Sequence, residues 1–426
     1  MILISNDEII SPRLLKLKEN LEKAINKRKI IDEFWKEIEE KSTPIIEQIE
    51  KEPKYKLVTF LYKENADTDE ILLISGSIGV ISHRGIFKRI QGTNIYYKSI
   101  FYLNKTRTTY AISRQKADIP LYPPKDFILP VLKGDPLNKK NVTLVEGYTM
   151  AVLELPDAPS QPWIEEKDKV PKGTLETLQL KSTKFEKEFR IVTYLPPNYN
   201  TSGDPYGSLF LFDGLWYSNP KQVPTPTILN NLIFSKKIPS IIAVFIFQHM
   251  EDGIESRNIE LNTNPDFAFF IGEELYPYIQ KKYNITNNPE KTIVGGASFG
   301  GLTASYLGLK YPDKFGKILS QSGSYWAAEK WDQNSNPDFR NWQYIIKEYV
   351  KREKLPLDFY IEIGLYEGKE SLHGQPSHFF SNRHFRDVLL SKGYSLKYVE
   401  YVGGHNFICW RGSLDDGLIY LIGNPS

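Results

Sequence analysis

Eight residues, Val294-Gly295-Gly296-Ala297-Ser298-Phe299-Gly300-Gly301, restrict the fold of this 426-residue chain more than any other stretch. A G-x-S-x-G pattern closes the apolar run Thr292-Ile293-Val294 and opens the helix-like run Leu302-Thr303-Ala304-Ser305-Tyr306-Leu307. Strand, tight turn and helix is the context in which this pattern exposes a serine hydroxyl. Glycines flank the serine because a strained turn leaves no room for neighbouring side chains. Ser298 is the candidate nucleophile.

A serine hydroxyl attacks only when a base takes its proton and a third group orients that base. On a sheet that carries such a turn, the order along the chain is serine, acid, histidine. The six histidines are His83, His249, His373, His378, His384 and His405, and the last four follow Ser298. His405 lies in Tyr401-Val402-Gly403-Gly404-His405-Asn406, directly after the last expected strand, and is the candidate base. His378 and His384 fall in a helix pattern, where they are expected to face solvent or pack locally. Glu367, in the loop Gly364-Leu365-Tyr366-Glu367-Gly368 after the expected strand Phe359–Ile363, is the candidate acid. Glu362 inside that strand and Glu370 farther out are alternatives, as is a serine–histidine dyad without an acid. An oxyanion hole needs two aimed N–H groups. Phe299, next after the serine, offers one; Leu215, in Phe210-Leu211-Phe212-Asp213-Gly214-Leu215-Trp216, offers the other unless Asp213-Gly214 is only a turn.

The length predicts more than one domain. Residues 1–50 carry apolar positions at helical spacing (Leu14, Leu17, Leu21; Ile31, Phe34, Trp35, Ile38) and read as a helical segment packed on the next domain. Residues 51–165 hold β-branched and aromatic runs, Leu57–Tyr62, Glu70–Ile74 and Ile95–Tyr102, of the kind found in an immunoglobulin-like β-sandwich. The Pro-rich Leu155–Trp163 ends that region as a linker. In 166–426 strands and helices alternate, as a mostly parallel sheet flanked by helices requires, so the fold class is α/β with a C-terminal α/β-hydrolase domain. Strands are expected at 174–182, 188–195, 208–213, 239–247, 291–296, 316–321, 357–363 and 396–401, and helices at 266–283, 299–310, 341–353 and 377–392.

A net charge of +2 gives no drive toward nucleic acid, and no apolar run reaches the length of a membrane span. A single cysteine, Cys409, fits a reducing compartment, and Met1–Glu8 meets acidic residues before any signal-like run. A cytoplasmic enzyme is expected.

Several of these segments resemble the enterochelin (enterobactin) esterase family. The elbow, Ser320-Gln321-Ser322-Gly323-Ser324-Tyr325-Trp326, Asp213-Gly214-Leu215-Trp216, Arg257-Asn258-Ile259-Glu260-Leu261 and Gly403–Arg411 are similar to its catalytic region. Phe34-Trp35, Thr43-Pro44, Val58–Tyr62 and Asp135-Pro136-Leu137-Asn138 are similar to its N-terminal region, so the resemblance covers nearly the whole chain. The chain departs from the family at Asn406, where aspartate is usual after the histidine, and at Tyr366, where arginine usually precedes the acid.

The resemblance implies an immunoglobulin-like domain joined to a serine hydrolase that opens a cyclic trilactone of catecholate–serine units. For such a substrate Arg257 would grip anionic oxygens, or else pair with Glu260, and Trp216, Trp326 and Trp410 would stack on rings, or else fill the core. No cofactor is implied. A catalytic zinc is not expected, because the downstream histidines besides His405 lack carboxylate or thiolate partners at ligand spacing. Iron would arrive with the siderophore substrate. One rival reading keeps the fold and acts on a carbohydrate-linked ester, with Tyr96, Tyr97 and Tyr102 exposed for sugar binding, or else, as strand alternation explains equally well, in the core. A second rival, a non-enzymatic binding protein, would predict a damaged elbow or a missing histidine. Oligomeric state is not written in the sequence.

Overall fold

The computed structural model describes residues 11–50, 52–65, 71–75, 85–114, 134–143, 149–249, 254–329, 339–368 and 376–423. Met1–Glu8, Glu70, His83, Glu370 and His373 lie outside them. The chain divides into two compact units: Met1–Pro159 with Val402–Asn406, and Ser160–Tyr401 with Phe407–Ser426. The division falls six residues before the boundary expected at 165.

The first unit opens with α1 (Pro12–Lys23) and α2 (Lys27–Lys41). Ser11 caps α1 by accepting the Leu14 N–H, and Pro12 sits at the helix start, where its missing donor costs nothing. The apolar faces of both helices (Leu14, Leu17, Leu21, Phe34, Trp35, Ile38) pack with Leu61, Ile90, Ile95 and Tyr97. Those last residues belong to, or lie beside, the strands β1 (Ile45–Gln48), β2 (Tyr55–Lys63), β3 (Leu72–Ser75), β4 (Lys88–Arg89), β5 (Ile95–Leu103), β6 (Arg107–Ser113), β7 (Asn141–Thr143) and β8 (Thr149–Glu154).

These strands form two four-stranded antiparallel sheets, β1-β2-β5-β4 and β3-β6-β8-β7. Phe60 of one sheet meets Tyr110 of the other edge to face, with ring centroids 4.8 Å apart. Tyr96, Tyr97 and Tyr102 are buried, at 7%, 7% and 2% exposure, so of the two readings of these rings the structure has the core one. Nine residues of β2 pairing with nine of β5 enclose these aromatics.

The second unit is built on one sheet of eight strands: β9 (Thr174–Lys181), β10 (Glu188–Leu195), β11 (Gly207–Leu211), β12 (Ile241–Ile246), β13 (Thr292–Ala297), β14 (Lys317–Gln321), β15 (Asp358–Gly364) and β16 (Ser395–Tyr401). They stand in the order β16-β15-β14-β13-β11-β12-β10-β9. From β12 to β16 neighbours are parallel; β10 and β9 are antiparallel additions at one edge. All eight coincide with the expected strands; the central ones, covered on both faces, read as apolar runs, and the edge strands β9 and β16 alternate.

The helices are α3 (Gly214–Tyr217), α4 (Thr225–Phe234), α5 (Ile254–Leu261), α6 (Pro265–Phe269), α7 (Tyr276–Lys282), α8 (Phe299–Lys310), α9 (Tyr344–Lys351), α10 (His378–Ser391), α11 (Phe407–Trp410) and α12 (Leu414–Ile422). The single helix expected over 266–283 is α6, a π-helical stretch Phe270–Leu275, and α7. The wider turns precede Pro277, which has no N–H to give to a regular ladder. Among the described residues no helix is long and apolar enough to cross a membrane.

Candidate active site

β13 lies between β11 and β14, and its six residues are all buried. It delivers Ser298 at φ 58°, ψ −120°, a conformation that strains any residue with a side chain, immediately before α8. Backbone bonds hold the turn: Ser298 N–H donates to Gln321 O (2.9 Å), and Ser298 O accepts from Leu302 N–H (3.2 Å) and Ser324 N–H (2.9 Å). A Cβ on Gly296 would come within 3.0 Å of the Gly300 Cα, and one on Gly301 within 2.5 Å of Ser320 Oγ. Strand and helix approach here closely enough that both positions require glycine. The structure therefore has the expected elbow.

Ser298 Oγ lies 3.2 Å from Ser324 Oγ, in the loop after β14. In the next loop along the sheet, Glu367 sits on a short 3₁₀ turn after β15. Its Oε1 accepts from Gly364 N–H (2.9 Å), Ser322 Oγ (2.7 Å) and Tyr401 OH (3.2 Å). Ser322, at φ 50°, also receives the Trp410 indole N–H at 3.0 Å. Three donors hold this carboxylate in one orientation. His405 follows β16 in the segment Val402–Asn406, which groups with the first unit. There Arg107 N–H reaches Val402 O (3.4 Å), Arg107 bridges Gly403 in parallel, and Asn406 Nδ2 donates to Thr108 Oγ1 (3.3 Å).

The alternative acid, Glu362, is committed elsewhere. It is fully buried inside the sheet and accepts from Ser413 Oγ (2.6 Å), Gln321 Nε2 (2.9 Å) and Tyr360 OH (3.1 Å). Burial pushes its carboxyl from an ordinary 4.5 up to about 7, against the pull of those donors. Asp415, part-buried and beside Asp416, is likewise raised to about 7, chiefly by desolvation. Between the unfolded values and about 7 the folded chain keeps protons that the unfolded chain releases, so these two groups make stability fall as pH rises through that window. Urea unfolding at pH 5 and pH 8 should show this loss. In Glu362→Gln it should shrink by up to roughly 3 kcal/mol; an unchanged slope would contradict the assignment.

The structure corrects the expectation for His378. Its Nε2 lies 3.2 Å from Ser324 Oγ and accepts the Trp326 indole N–H at 3.1 Å. A ring nitrogen of His378 and a carboxylate oxygen of Glu367 lie within 4.8 Å of each other, so this histidine does have an acidic neighbour. Sequence spacing could not reveal it, because the neighbours come from loops after two different strands. His384 is exposed, the solvent-facing one of its two expected placements, with Nδ1 2.9 Å from Gln343 Oε1.

On the other side of the elbow, β11 ends in Phe212 and Asp213, and Asp213 adopts a left-handed conformation at φ 56°. Phe212 Cβ and Asp213 Oδ2 flank Gly300. The Leu215 N–H, at the start of α3, has no acceptor among the described residues and suits an incoming oxyanion.

Arg257 forks onto Asp213 (Nε to Oδ1 2.5 Å, Nη2 to Oδ2 2.6 Å) and is 5% exposed. Its guanidinium therefore serves the turn that carries Leu215, a correction to the expected substrate clamp. It does not pair with Glu260, which holds His249 instead. Trp326 and Trp410 are core residues at 2% and 3% exposure. Trp216 is part-exposed and lies beneath Arg257 and beside Phe407.

The model of the Esterase family matches residues 182–421, more than half of the chain. The chain belongs to the Esterase family. As an esterase it is a carboxylic-ester hydrolase. It is 29% identical to the iron(III) enterobactin esterase of Escherichia coli K12 over 78% of this chain and 81% of that one. To the iron(III) enterobactin esterase of Dickeya dadantii it is 26% identical, over 91% and 92%. Among solved structures, a ferric enterobactin esterase from Salmonella typhimurium superposes with a TM-score of 0.70 at 23% identity, covering 89% of this chain and 96% of that one. The enterobactin esterase from Shigella flexneri, solved in the presence of enterobactin, gives 0.69 at 23%, over 89% and 95%. Both structures have the same fold as this esterase.

Proposed function

We propose that this esterase hydrolyses the ester bonds of a catecholate siderophore, such as ferric enterobactin, and so aids iron release in the cytoplasm. The observation that carries the reading is the length of the likeness: it runs through both units, where a generic esterase would be similar only over the catalytic one. The single cysteine supports a reducing compartment. Two four-stranded antiparallel sheets, whose strands run from Ile45 to Glu154, support an immunoglobulin-like domain that begins a few residues before the expected 51, preceded by two helices and followed by the catalytic domain.

In the mechanism, His405 takes the proton of Ser298 as its Oγ attacks the ester carbon. Glu367 orients and stabilises the histidine, and the N–H groups of Phe299 and Leu215 receive the oxyanion. His405 then protonates the leaving serine alkoxide of the trilactone. Water attacks the acyl-enzyme by the reverse proton path and frees Ser298. Trp216 offers a stacking surface for a catechol ring. The reaction needs no resident metal, and iron enters as part of the substrate.

Purified full-length chain incubated with enterobactin, with and without ferric ion, should yield linear trimer, dimer and monomer by mass spectrometry. An intact trilactone under conditions where a simple activated ester is cleaved would overturn the substrate and leave the esterase chemistry standing.

A further inference from the structure

β14 ends at Gln321, whose carbonyl holds the Ser298 N–H, and the chain then turns at Ser322. Ser322 is fully buried and has a φ of 50°, with its N–H donating to Glu362 O at 2.8 Å. A side chain in this left-handed region is strained, and a glycine here would not be. What the serine brings in return is its hydroxyl, and its neighbours set the direction of that hydroxyl's bonds. The Trp410 indole N–H, which can only donate, reaches Ser322 Oγ at 3.0 Å. Glu367 Oε1, which as a carboxylate oxygen only accepts, lies 2.7 Å from the same Oγ. Two oxygens this close share a proton, and the serine is the one that has it. A hydroxyl oxygen keeps a second lone pair. The Tyr401 OH can therefore donate to Ser322 Oγ at 3.0 Å, or to Glu367 Oε1 at 3.2 Å, without changing this assignment. Trp410 is itself placed by Gln321 Nε2, which donates to its carbonyl at 2.9 Å.

We propose that Ser322 is a positioning residue for the triad acid and acts through Glu367. Its hydroxyl, turned by the Trp410 indole, donates to Glu367 Oε1, where the Gly364 N–H also arrives at 2.9 Å. Donors on one oxygen fix the rotation of the carboxylate, and a carboxylate that turned would orient the imidazole for only part of the time. The bond persists through the cycle, because the triad acid stays ionised at every step. This inference rests on Glu367 being that acid.

The test is kcat and KM on a simple ester, measured in the full chain and counted per Ser298 labelled to completion by a small alkyl fluorophosphonate. Ser322→Ala removes the hydroxyl and should lower kcat about tenfold with KM little changed. Ser322→Gly removes the same hydroxyl but relieves the φ of 50°. It should therefore unfold at a higher temperature than Ser322→Ala while losing as much kcat, and it serves if the alanine variant does not fold. A serine that mattered only to the fold would let kcat recover with stability. On a Glu367→Ala background the Ser322 substitutions should add nothing to the loss. Wild-type kcat in Ser322→Ala and Ser322→Gly, or a loss that multiplies with that of Glu367→Ala, would overturn the proposal. Wild-type kcat in Glu367→Ala would instead overturn the assignment of the acid.

Discussion

Ser298→Ala should lower kcat by about 10⁴- to 10⁶-fold on any ester the protein cleaves, with KM almost unmoved. The loss is this large because the hydroxyl forms the bond that divides the reaction into two easier steps, and no neighbouring group can replace it. Activity above the uncatalysed rate should survive, since the Phe299 and Leu215 N–H groups would still stabilise an oxyanion formed by water. Fold stability should not follow activity. Among the described residues the Ser298 side chain makes one hydrogen bond, to Ser324 at 3.2 Å, and the turn is held by backbone bonds to Gln321, Leu302 and Ser324. Alanine inherits the strained φ of 58°, whereas Ser298→Gly should relieve it and raise the unfolding free energy by about 1 kcal/mol. Thermal unfolding of the three proteins, read beside their kinetics, checks both parts. If Ser298→Ala retained more than a few per cent of wild-type kcat, Ser298 would not be the nucleophile.

Breaking the Arg257–Asp213 pair should give the largest loss of stability. Arg257→Met leaves Asp213, 3% exposed and bonded through its own N–H to Gln248 Oε1, as a buried carboxylate without its counter-charge. The expected cost is about 3–5 kcal/mol by denaturant unfolding. Asp213→Asn combined with Arg257→Met should cost clearly less than Arg257→Met alone, because no orphaned charge remains. Activity should report the same pair differently. Asp213 sets the turn that aims Leu215, so the folded fraction of Arg257→Met should lose up to about 10²-fold in kcat. If kcat fell no further than the folded fraction explains, the pair would be structural only and Leu215 would lose its support as an oxyanion donor.

The legible parts of this chain share one property, that their signals are local. The buried parallel strands β11–β15 show as apolar runs between turn residues, and the elbow shows as glycines at fixed offsets from a serine. α4 escaped notice because Thr225, Asn230 and Asn231 are buried along with its aliphatic residues, which leaves no polar stripe to mark a helix. α3 and α11, four residues each, are too short for any periodicity.

By itself the sequence determined the strands β9–β16 along the chain and the strained turn at Ser298, since both depend on neighbours within a few residues. The tertiary structure decided which polar groups meet across loops. Arg257 and Asp213 are 44 residues apart, His378 and Ser324 are 54, and Glu367 and Ser322 are 45. A buried charge or hydroxyl takes whichever partner the packed sheet brings within reach. That choice is made by the spatial order of β11, β13, β14 and β15, which no local pattern encodes.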